Sequence, residues 1–497
     1  MNSDLRHGRR APHPGHTTRY TARLMINATP TTLPAQRIDA AGRAHVNWWA
    51  VLALAGPLIA NSAIQAALNL TDTWFVGHIS TLAMAGMGAV HWLVIVFIGV
   101  LGGVAMAVQT VVAQAHGARR YTRASQATWT ALWASLLTAP VFALLGFNGD
   151  VLLAPFALNP DVRDLALQFW QPRMLGAVLG VALWSVLGFF NGIGHARVTL
   201  LINFVTLSVN ALLAWVFIFH FHWGVPGAAW ATNCATGVGL SMALVLFVGN
   251  KQFAAYRAPL TWRFNHRSLL KQFRLGLPMG IGLAADLFGF ALFQLMLVKL
   301  SPSDGAASQI VMMLTSISYM PAIGMALAGT TLVGQSIGAG DKAWARRLGN
   351  AVITMAILYM GGVGLLLGLA SSWTIPLFLD ANDPLNAAVA HSGIVLMWLA
   401  AAYQLFDGMI LGSSFCLRGA GDATVPAVLI LGLSWFLFVP LAHSLAFAPG
   451  QGFVGWLPQY GLGAAGGWMA AVVYVSLVGI LMLARWRARA WEQITLR

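Results

Sequence analysis

Residues 275–300 read LGLPMGIGLAADLFGFALFQLMLVKL, and this stretch decides the class of fold. It is long enough to cross a bilayer as one helix, which takes about 20 apolar residues at a rise of about 1.5 Å each. Its carboxylate, Asp286, lies near the middle, where translocon scales put the cost of a charge at roughly 2.5–3.5 kcal/mol. Such a residue needs a partner, a wet cavity or a bound cation, and it is typical of a transporter helix.

The composition of the whole chain also indicates a membrane protein. Of 497 residues, 58% are hydrophobic and 8% are charged, and the mean hydropathy is +0.72. This is the profile of a polytopic membrane protein. A net charge of +14 would suggest a nucleic-acid partner in a soluble protein. Here the basic residues follow the membrane topology, so we predict the lipid bilayer as a partner, no nucleic acid and no cofactor.

The apolar segments and the charges between them predict the topology. We count twelve segments, near residues 48–75, 84–114, 125–147, 168–190, 199–220, 225–249, 275–300, 306–335, 349–371, 392–416, 424–446 and 462–484. With a cytoplasmic N-terminus, all but three of the 28 Lys and Arg residues fall on the inner side, the exceptions being Arg163, Arg173 and Lys299. The positive-inside rule therefore places both termini in the cytoplasm, which predicts a multi-pass protein of the plasma (bacterial inner) membrane.

The second half of the chain repeats the first. Residues of the same type recur 221 positions apart in three pairs: Pro57 and Pro278, Gln114 and Gln335, and Gly117 and Gly338. At a slightly larger offset, NGIGHA (191–196) matches RGAGDA (418–423). Because each half has six spans, both halves begin on the same side of the membrane, so the repeat is parallel.

The repeat and the charges predict an all-α integral membrane protein of twelve transmembrane helices, in two six-helix bundles that face a central cleft. The predicted parts are a basic disordered cytoplasmic tail (1–47), an N-terminal bundle (48–249), a cytoplasmic linker (250–274), a C-terminal bundle (275–484) and a second basic cytoplasmic tail (485–497).

Three of the 14 acidic residues lie inside apolar segments: Asp72, Asp286 and Asp407. At the repeat offset Asp286 corresponds to Gln65, so the duplicated scaffold did not impose this carboxylate. No intramembrane Lys or Arg is obviously placed to neutralise the three. A carboxylate removed from water can exchange a proton near neutral pH, and two or three together can hold Na⁺. The alternative is that each is a buried, hydrogen-bonded helix clamp; we favour cation-coupled transport.

Several motifs resemble those of one transporter family. They are Pro57 with Asp72 fifteen residues later, LGLP before Asp286, YQLFDGMILGSSFCLRGAGDATVP (403–426), VAQAHGAR (112–119) and VGQSIGAG (333–340). Over about residues 48–484 the chain resembles the MATE (multidrug and toxic compound extrusion) family, in its NorM-like branch.

The resemblance implies four cation-coupling residues, Asp72, Asn210, Asp286 and Asp407. Two positions depart from the family pattern. Ala214 stands where relatives often have Asp or Asn, and Ile410 stands where Gln is common. Ala214 weakens the case for a Na⁺ site in the N-terminal half. We therefore favour Asp286 and Asp407 as the coupling pair, whether the ion is H⁺ or Na⁺. Between the two ions we favour H⁺.

Aromatic, methionine and amide side chains near these carboxylates are candidates for the substrate cleft, through stacking and cation–π contact with flat lipophilic cations. They are Phe290, Phe293, Tyr319, Met320, Tyr403, Gln404, Phe406 and Met409. The alternative for the aromatic and methionine side chains is plain helix packing. Pro57 and Pro278 are candidate hinges, since a proline removes one helix hydrogen bond.

The function predicted from these features is multidrug efflux by secondary antiport. A monomer would export small organic, cationic compounds against inward H⁺ or Na⁺ flow. The alternative is a flippase for a lipid-linked precursor, from the same superfamily. Twelve spans and the lack of a cluster of cleft-lining arginines argue against it. An intramembrane enzyme would need a paired nucleophile and base or a motif such as HExxH, and the sequence has none.

Overall fold

The computed structural model describes residues 33–156, 159–379 and 386–494. Within these ranges twelve helices are long and apolar enough to cross a membrane, which confirms the predicted number of spans. The α-helices are α1 (Trp48–Gly77), α2 (Thr81–Leu101), α3 (Gly103–Gly117), α4 (Tyr121–Phe147), α5 (Gly149–Leu153), α6 (Pro160–Gly192), α7 (Ala196–Trp215), α8 (Gly224–Gly249), α9 (His266–Leu300), α10 (Pro302–Gly338), α11 (Lys342–Leu369), α12 (Ser371–Thr374), α13 (Asn386–Ala420), α14 (Thr424–Leu433), α15 (Val439–Ala446) and α16 (Gly463–Arg487).

Short helical turns complete these elements. Two π-helical turns lie at corresponding places in the two halves: Val216–His220 extends α7, and Ser434–Phe438 joins α14 to α15. The 3₁₀ turns are Ala154–Phe156, Lys251–Tyr256, Ala258–Leu260, Ile375–Phe378 and Ala490–Gln493.

Polar side chains fix where several of these helices begin. Asn47, Ser301 and Asp341 precede α1, α10 and α11, and each side chain accepts a hydrogen bond from the backbone N–H three residues later, at 3.2, 3.0 and 2.7 Å. Each cap satisfies one of the N–H groups that the first helical turn leaves without a partner.

The N-terminal tail differs from the disordered segment predicted for residues 1–47. Strands β1 (Gln36–Ile38) and β2 (Ala44–Val46) pair antiparallel, and we call residues 33–46 the N-terminal hairpin. The Trp344 indole on α11 donates a hydrogen bond to the Pro34 carbonyl at 2.9 Å, so this stretch is ordered because it docks on the C-terminal half. Residues 1–32 of the predicted tail lie outside the described residues.

Two other predicted boundaries also shift. The linker ends at residue 265 instead of 274, because Asn265 caps α9 by accepting hydrogen bonds from the N–H groups of Arg267 and Ser268. The predicted C-terminal tail starts inside α16, which continues to Arg487, and Trp491 beyond it stacks on Trp486 at 4.7 Å. Residues 495–497 lie outside the described residues.

The two halves meet through a symmetric set of hydrogen bonds at the end of the molecule that carries the basic loops. Gln114 at the end of α3 donates to the Gly419 carbonyl of α13, and Gln335 at the end of α10 donates to the Gly192 carbonyl of α6, both at 2.9 Å. Each bond joins one half to the other. We call these four residues the glutamine clasp.

Glycines let the backbones approach at the same place. A Cβ atom on Gly117 would lie 2.0 Å from the Gln335 carbonyl oxygen, and one on Gly338 would lie 2.1 Å from the Gln114 carbonyl oxygen. Nearer the middle, a Cβ on Gly103 would lie 2.3 Å from the Gly276 oxygen. Only glycine fits contacts this short, so the paired glycines and glutamines of the repeat bring the two halves into direct contact at this end.

Candidate functional site

A cavity of about 850 Å³ lies between the two halves. Its N-terminal wall includes the polar side chains of Asn61, Gln109 and Asn203, and its C-terminal wall includes the carboxylates of Asp286 and Asp407. Pockets of roughly 300–1,000 Å³, mostly apolar with a few placed polar groups, are typical of small-molecule sites. The cavity therefore has the size and polarity to hold a drug-sized compound.

The two C-terminal carboxylates differ in how they are satisfied. Asp286 on α9 accepts a hydrogen bond from the Tyr474 hydroxyl of α16 at 3.1 Å. Asp407 on α13 is buried, and no described residue donates to its Oδ2 atom. A buried carboxylate oxygen without a donor is destabilising unless a proton or another cation reaches it. The pair is thus placed where a proton, Na⁺ or an organic cation would be stabilised.

Half of the predicted cleft residues line this cavity: Phe290, Tyr319, Tyr403 and Gln404. Gln404 is held in place because the Ser318 hydroxyl donates to its Oε1 atom. Tyr403 and Phe290 meet edge to face, with ring centroids 6.4 Å apart. This side of the cavity therefore combines aromatic faces with the two carboxylates, a combination that suits flat organic cations.

The other four predicted cleft residues, Phe293, Met320, Phe406 and Met409, do not line the cavity. Phe293 is 1% exposed and packs against Phe438 and Trp468 at 5.3 and 5.8 Å. Phe406 and Met409 lie on the face of α13 that contacts α16 at Gly479. Met320 follows the cavity residue Tyr319, and consecutive helical residues point about 100° apart. They lie away from the cavity because hydrophobic type does not reveal which helix face meets it, and any part they play in substrate binding stays a prediction.

Several cavity residues were not predicted from the sequence. The N-terminal wall of Asn61, Gln109 and Asn203 consists of amides, which carry neither the charge nor the aromatic ring that marks the other candidates. Arg418, predicted to lie at a segment end, lines the cavity and stacks on the Phe415 ring at 4.5 Å. The signal that could have identified the amides is their polarity within apolar segments.

Asp72 lies in a separate site within the N-terminal half. Its carboxylate accepts hydrogen bonds from Asn210 Nδ2 and from the Thr232 hydroxyl, both at 3.1 Å, so the predicted partner Asn210 does meet it. Thr232 was not predicted. Asp72 lines a small cavity of about 60 Å³ and is not among the residues that line the central cavity. The three predicted carboxylates thus divide into a central pair and one that stands apart.

A basic residue borders the same small cavity. Arg173 on α6, predicted to fall at or near the outer side, lies inside a membrane-spanning helix and lines the cavity with Asp72 and His91. The expectation that no intramembrane arginine is placed to neutralise the carboxylates is therefore wrong for Asp72. The cause is that α6 begins at Pro160, eight residues before the predicted segment, which puts Arg173 more than three turns into the helix.

The candidate hinges lie at corresponding places in the two halves. Pro57 lies inside α1 and Pro278 inside α9, and both helices continue through their proline. Ala214 is fully buried in α7, and Ile410 lines the central cavity. Any hinge motion at the prolines stays a prediction.

The fold and the cavity define a class: a polytopic membrane protein with two related bundles around a small-molecule chamber. The MatE family model matches residues 57–216 and 278–443, one match in each half. The chain therefore belongs to the MatE family, and it is an integral multi-pass membrane transporter and not an enzyme.

Proteins of similar sequence align with most of the chain. Proteins described as "Probable multidrug resistance protein NorM" are 32% identical in Pseudomonas syringae pv. tomato, over 88% of this chain and 95% of theirs, and 31% identical in Burkholderia pseudomallei, over 87% and 91%. Two solved structures share the fold at 19% identity and cover 89% of this chain. A MATE crystal structure in complex with MaL6 has a TM-score of 0.79 over 97% of its chain, and an outward-facing multidrug resistance MATE transporter has 0.76 over 96% of its chain.

Proposed function

We propose that this protein exports organic cations by secondary antiport, with inward H⁺ flow as the driving force and Asp286 and Asp407 as the coupling residues. The observation that carries the proposal is the position of both carboxylates on the wall of the central cavity. A cation in the substrate and a proton would then compete for the same negative site. The names of the relatives, as multidrug resistance proteins, support export of several compounds.

The geometry favours exchange at Asp407. Its Oδ2 atom lacks a donor among the described residues, although each carboxylate has a tyrosine hydroxyl beside it, Tyr403 at Asp407 and Tyr474 at Asp286. Protonation of Asp407 would remove the charge that holds the substrate, and loss of the proton would restore that charge. A single site that is occupied in turn by a proton and by the organic cation is the minimum that antiport requires.

Na⁺ remains the second candidate ion. Sodium prefers several oxygen ligands, which Asp286, Asp407 and nearby carbonyl groups would have to supply. Of the aromatic neighbours Phe290 and Tyr403, the tyrosine contributes a single hydroxyl oxygen and the phenylalanine contributes none. We therefore prefer H⁺, with a monomer in the plasma (bacterial inner) membrane and both termini in the cytoplasm as part of the same proposal.

A lipid-linked precursor flippase is the competing function. Recognition of a pyrophosphate group would call for several cationic side chains on the cavity wall. Among the described residues that line the cavity, Arg418 is the one such side chain, and two carboxylates accompany it. This charge balance favours cations over anionic lipid precursors.

Binding of a fluorescent organic cation, ethidium, to the purified protein at different pH values tests the proposal. We expect affinity to fall as pH falls, and Asp407→Asn to weaken binding by about tenfold, which is about 1.4 kcal/mol, and to flatten the pH dependence. Asp161→Asn, at an exposed carboxylate in the first turn of α6, is the matched control. Wild-type affinity in Asp407→Asn would refute the role of Asp407. Transport of labelled lipid carriers without a gradient would favour the flippase.

A further inference from the structure

The linker between the two halves lies directly against a membrane helix. Trp129 and Trp133 stand one turn apart on α4, and both use their indole N–H groups to hold the linker backbone. Trp129 donates to the Ala258 carbonyl at 2.9 Å, and Trp133 donates to the Trp262 carbonyl at 2.8 Å. Both tryptophans lie in the first half of α4, which is one of the helices able to cross a membrane. The linker therefore runs beside the first turns of a spanning helix.

Further hydrogen bonds fix the linker and the start of α9 on α4. The hydroxyl groups of Ser125 and Thr261 meet at 2.7 Å, and Gln272 donates to the Ala127 carbonyl at 2.8 Å. Irregular backbone is tolerated next to lipid only where its polar groups are paired. These bonds supply that pairing at the joint between the N-terminal and C-terminal halves.

Large apolar side chains of the same stretch stay on the surface. Leu260, Trp262 and Phe264 in the linker and Leu270 in α9 are each more than half exposed. In a loop surrounded by water such a cluster would be unfavourable, whereas beside a spanning helix it suits the membrane interface, where tryptophan in particular is enriched. We call these four residues and the arginines beside them the linker surface.

The arginines of the linker surface are Arg263 and Arg267, and both are exposed. Over the described ranges no carboxylate oxygen lies within 4.0 Å of either guanidinium. Residues 73–149 and 165–285, which include α4, the linker and the first half of α9, contain no Asp or Glu. The positive charge of the linker surface therefore has no counterpart in the elements that build it.

We propose that the linker surface binds an anionic phospholipid, with the phosphate at Arg263 and Arg267 and the acyl chains along Leu260, Trp262 and Phe264. Guanidinium groups pair with phosphate oxygens through charge-assisted hydrogen bonds. A zwitterionic phospholipid carries its own cation beside the phosphate, so it gains less from a basic surface. On the proposed orientation this lipid belongs to the cytoplasmic leaflet, and it binds where the linker joins the two halves.

Lipid titration of the delipidated full-length protein in mixed micelles tests the proposal, with the melting temperature as the readout. We expect phosphatidylglycerol to raise the melting temperature by about 5 °C or more, and phosphatidylcholine at the same mole fraction to raise it much less. Arg263→Gln with Arg267→Gln should need about 30-fold more phosphatidylglycerol for the same effect, roughly fivefold for each arginine. Arg487→Gln with Arg489→Gln is the matched control, because it removes two exposed charges at the same end of the molecule.

Trp262→Gln tests the apolar part of the site. Its indole is exposed, and the hydrogen bond from Trp133 goes to its backbone carbonyl, so the bond that holds the linker is kept. This variant should also need more phosphatidylglycerol, while its melting temperature in phosphatidylcholine stays close to that of the wild type. Trp456→Gln, at an exposed tryptophan in the loop at the opposite end of the molecule, is its control and should behave like the wild type.

Glycerol 3-phosphate, a phosphate ester without acyl chains, should give no shift at the concentration at which the lipid acts. A shift of the same size would overturn the proposal, because the surface would then take a free anion. Equal stabilisation by the two lipids would overturn it as well. So would a phosphatidylglycerol effect that survives in both the arginine and the Trp262 variants, or one that the Arg487 and Arg489 control loses equally. None of these readouts depends on antiport, so failure of the proposed function would leave the test unchanged.

Discussion

The glutamine clasp and its glycines predict how tightly one end of the transporter is closed. In alternating access the halves must separate at this end for substrate to enter from the side of the basic loops. The two clasp bonds, from Gln114 and Gln335, would then break together. Variants that weaken them should shift the population towards the form that is open at this end.

The magnitude follows from the contacts. A hydrogen bond is worth about 1 kcal/mol net, so Gln114→Ala with Gln335→Ala should cost the closed form about 2 kcal/mol, roughly a 30-fold change in the closed-to-open ratio. Gly117→Ala should act more strongly. Its Cβ would lie 2.0 Å from the Gln335 oxygen, whereas ordinary contact begins at 3.4 Å, so the backbones would have to separate by about 1.4 Å.

Disulfide cross-linking across the clasp measures the shift. Ala118 and Ala339 follow the two glycines, and the Ala118 nitrogen lies 2.9 Å from the position of a Cβ on Gly338. In a background without Cys234 and Cys416, cysteines at these two alanines should cross-link rapidly in the otherwise unchanged protein.

Variants at the glutamine clasp should change the cross-linking rate between these two cysteines, and a control variant should not. The clasp double variant and Gly117→Ala should both slow cross-linking. Gly180→Ala is the matched control, because a Cβ there meets nothing within 4 Å. Equal rates in Gly117→Ala and Gly180→Ala would refute the closed clasp.

Two further predictions concern the ends of the chain. Arg485→Gln removes the guanidinium that pairs with Asp422 at 2.8 Å. Because the Asp422 side chain is 3% exposed, this loss should cost about 2–3 kcal/mol of stability. The melting temperature should fall, and Arg485→Lys should partly restore it. Trp344→Phe removes the indole hydrogen bond to the N-terminal hairpin while keeping an aromatic ring. Limited proteolysis should then cut the hairpin faster, with little change in the melting temperature. An unchanged cleavage rate would contradict the docking of the hairpin through Trp344.

The repeat shows what sequence can and cannot predict about this fold. The offset of 221 residues is enough to pair Gln114 with Gln335 and Gly117 with Gly338. It does not reveal that each glutamine reaches a carbonyl in the opposite half. Such contacts depend on how two bundles pack, and a repeat within one chain contains no direct record of that packing.

The candidate site was likewise predicted only in part from the sequence. Asp286 and Asp407 stand out because a charge in an apolar segment is rare, and both line the cavity. Arg173 was misplaced because its depth depends on where α6 begins, and helix ends are set by local capping, in this case by Asn159. Phe293 and Met409 do not line the cavity, because aromatic and methionine side chains pack equally well on either face of a membrane helix.

The central claim is that the cavity carboxylates exchange a proton for an organic cation, and dye efflux from proteoliposomes tests it most directly. Purified protein would be reconstituted and given either an imposed pH gradient or an imposed Na⁺ gradient, with Asp286→Asn, Asp407→Asn and the control Asp161→Asn measured alongside. We expect efflux that follows the pH gradient in the wild type and the control and is lost in the two cavity variants. Efflux that ignores both gradients, or that survives in Asp407→Asn, would contradict the claim.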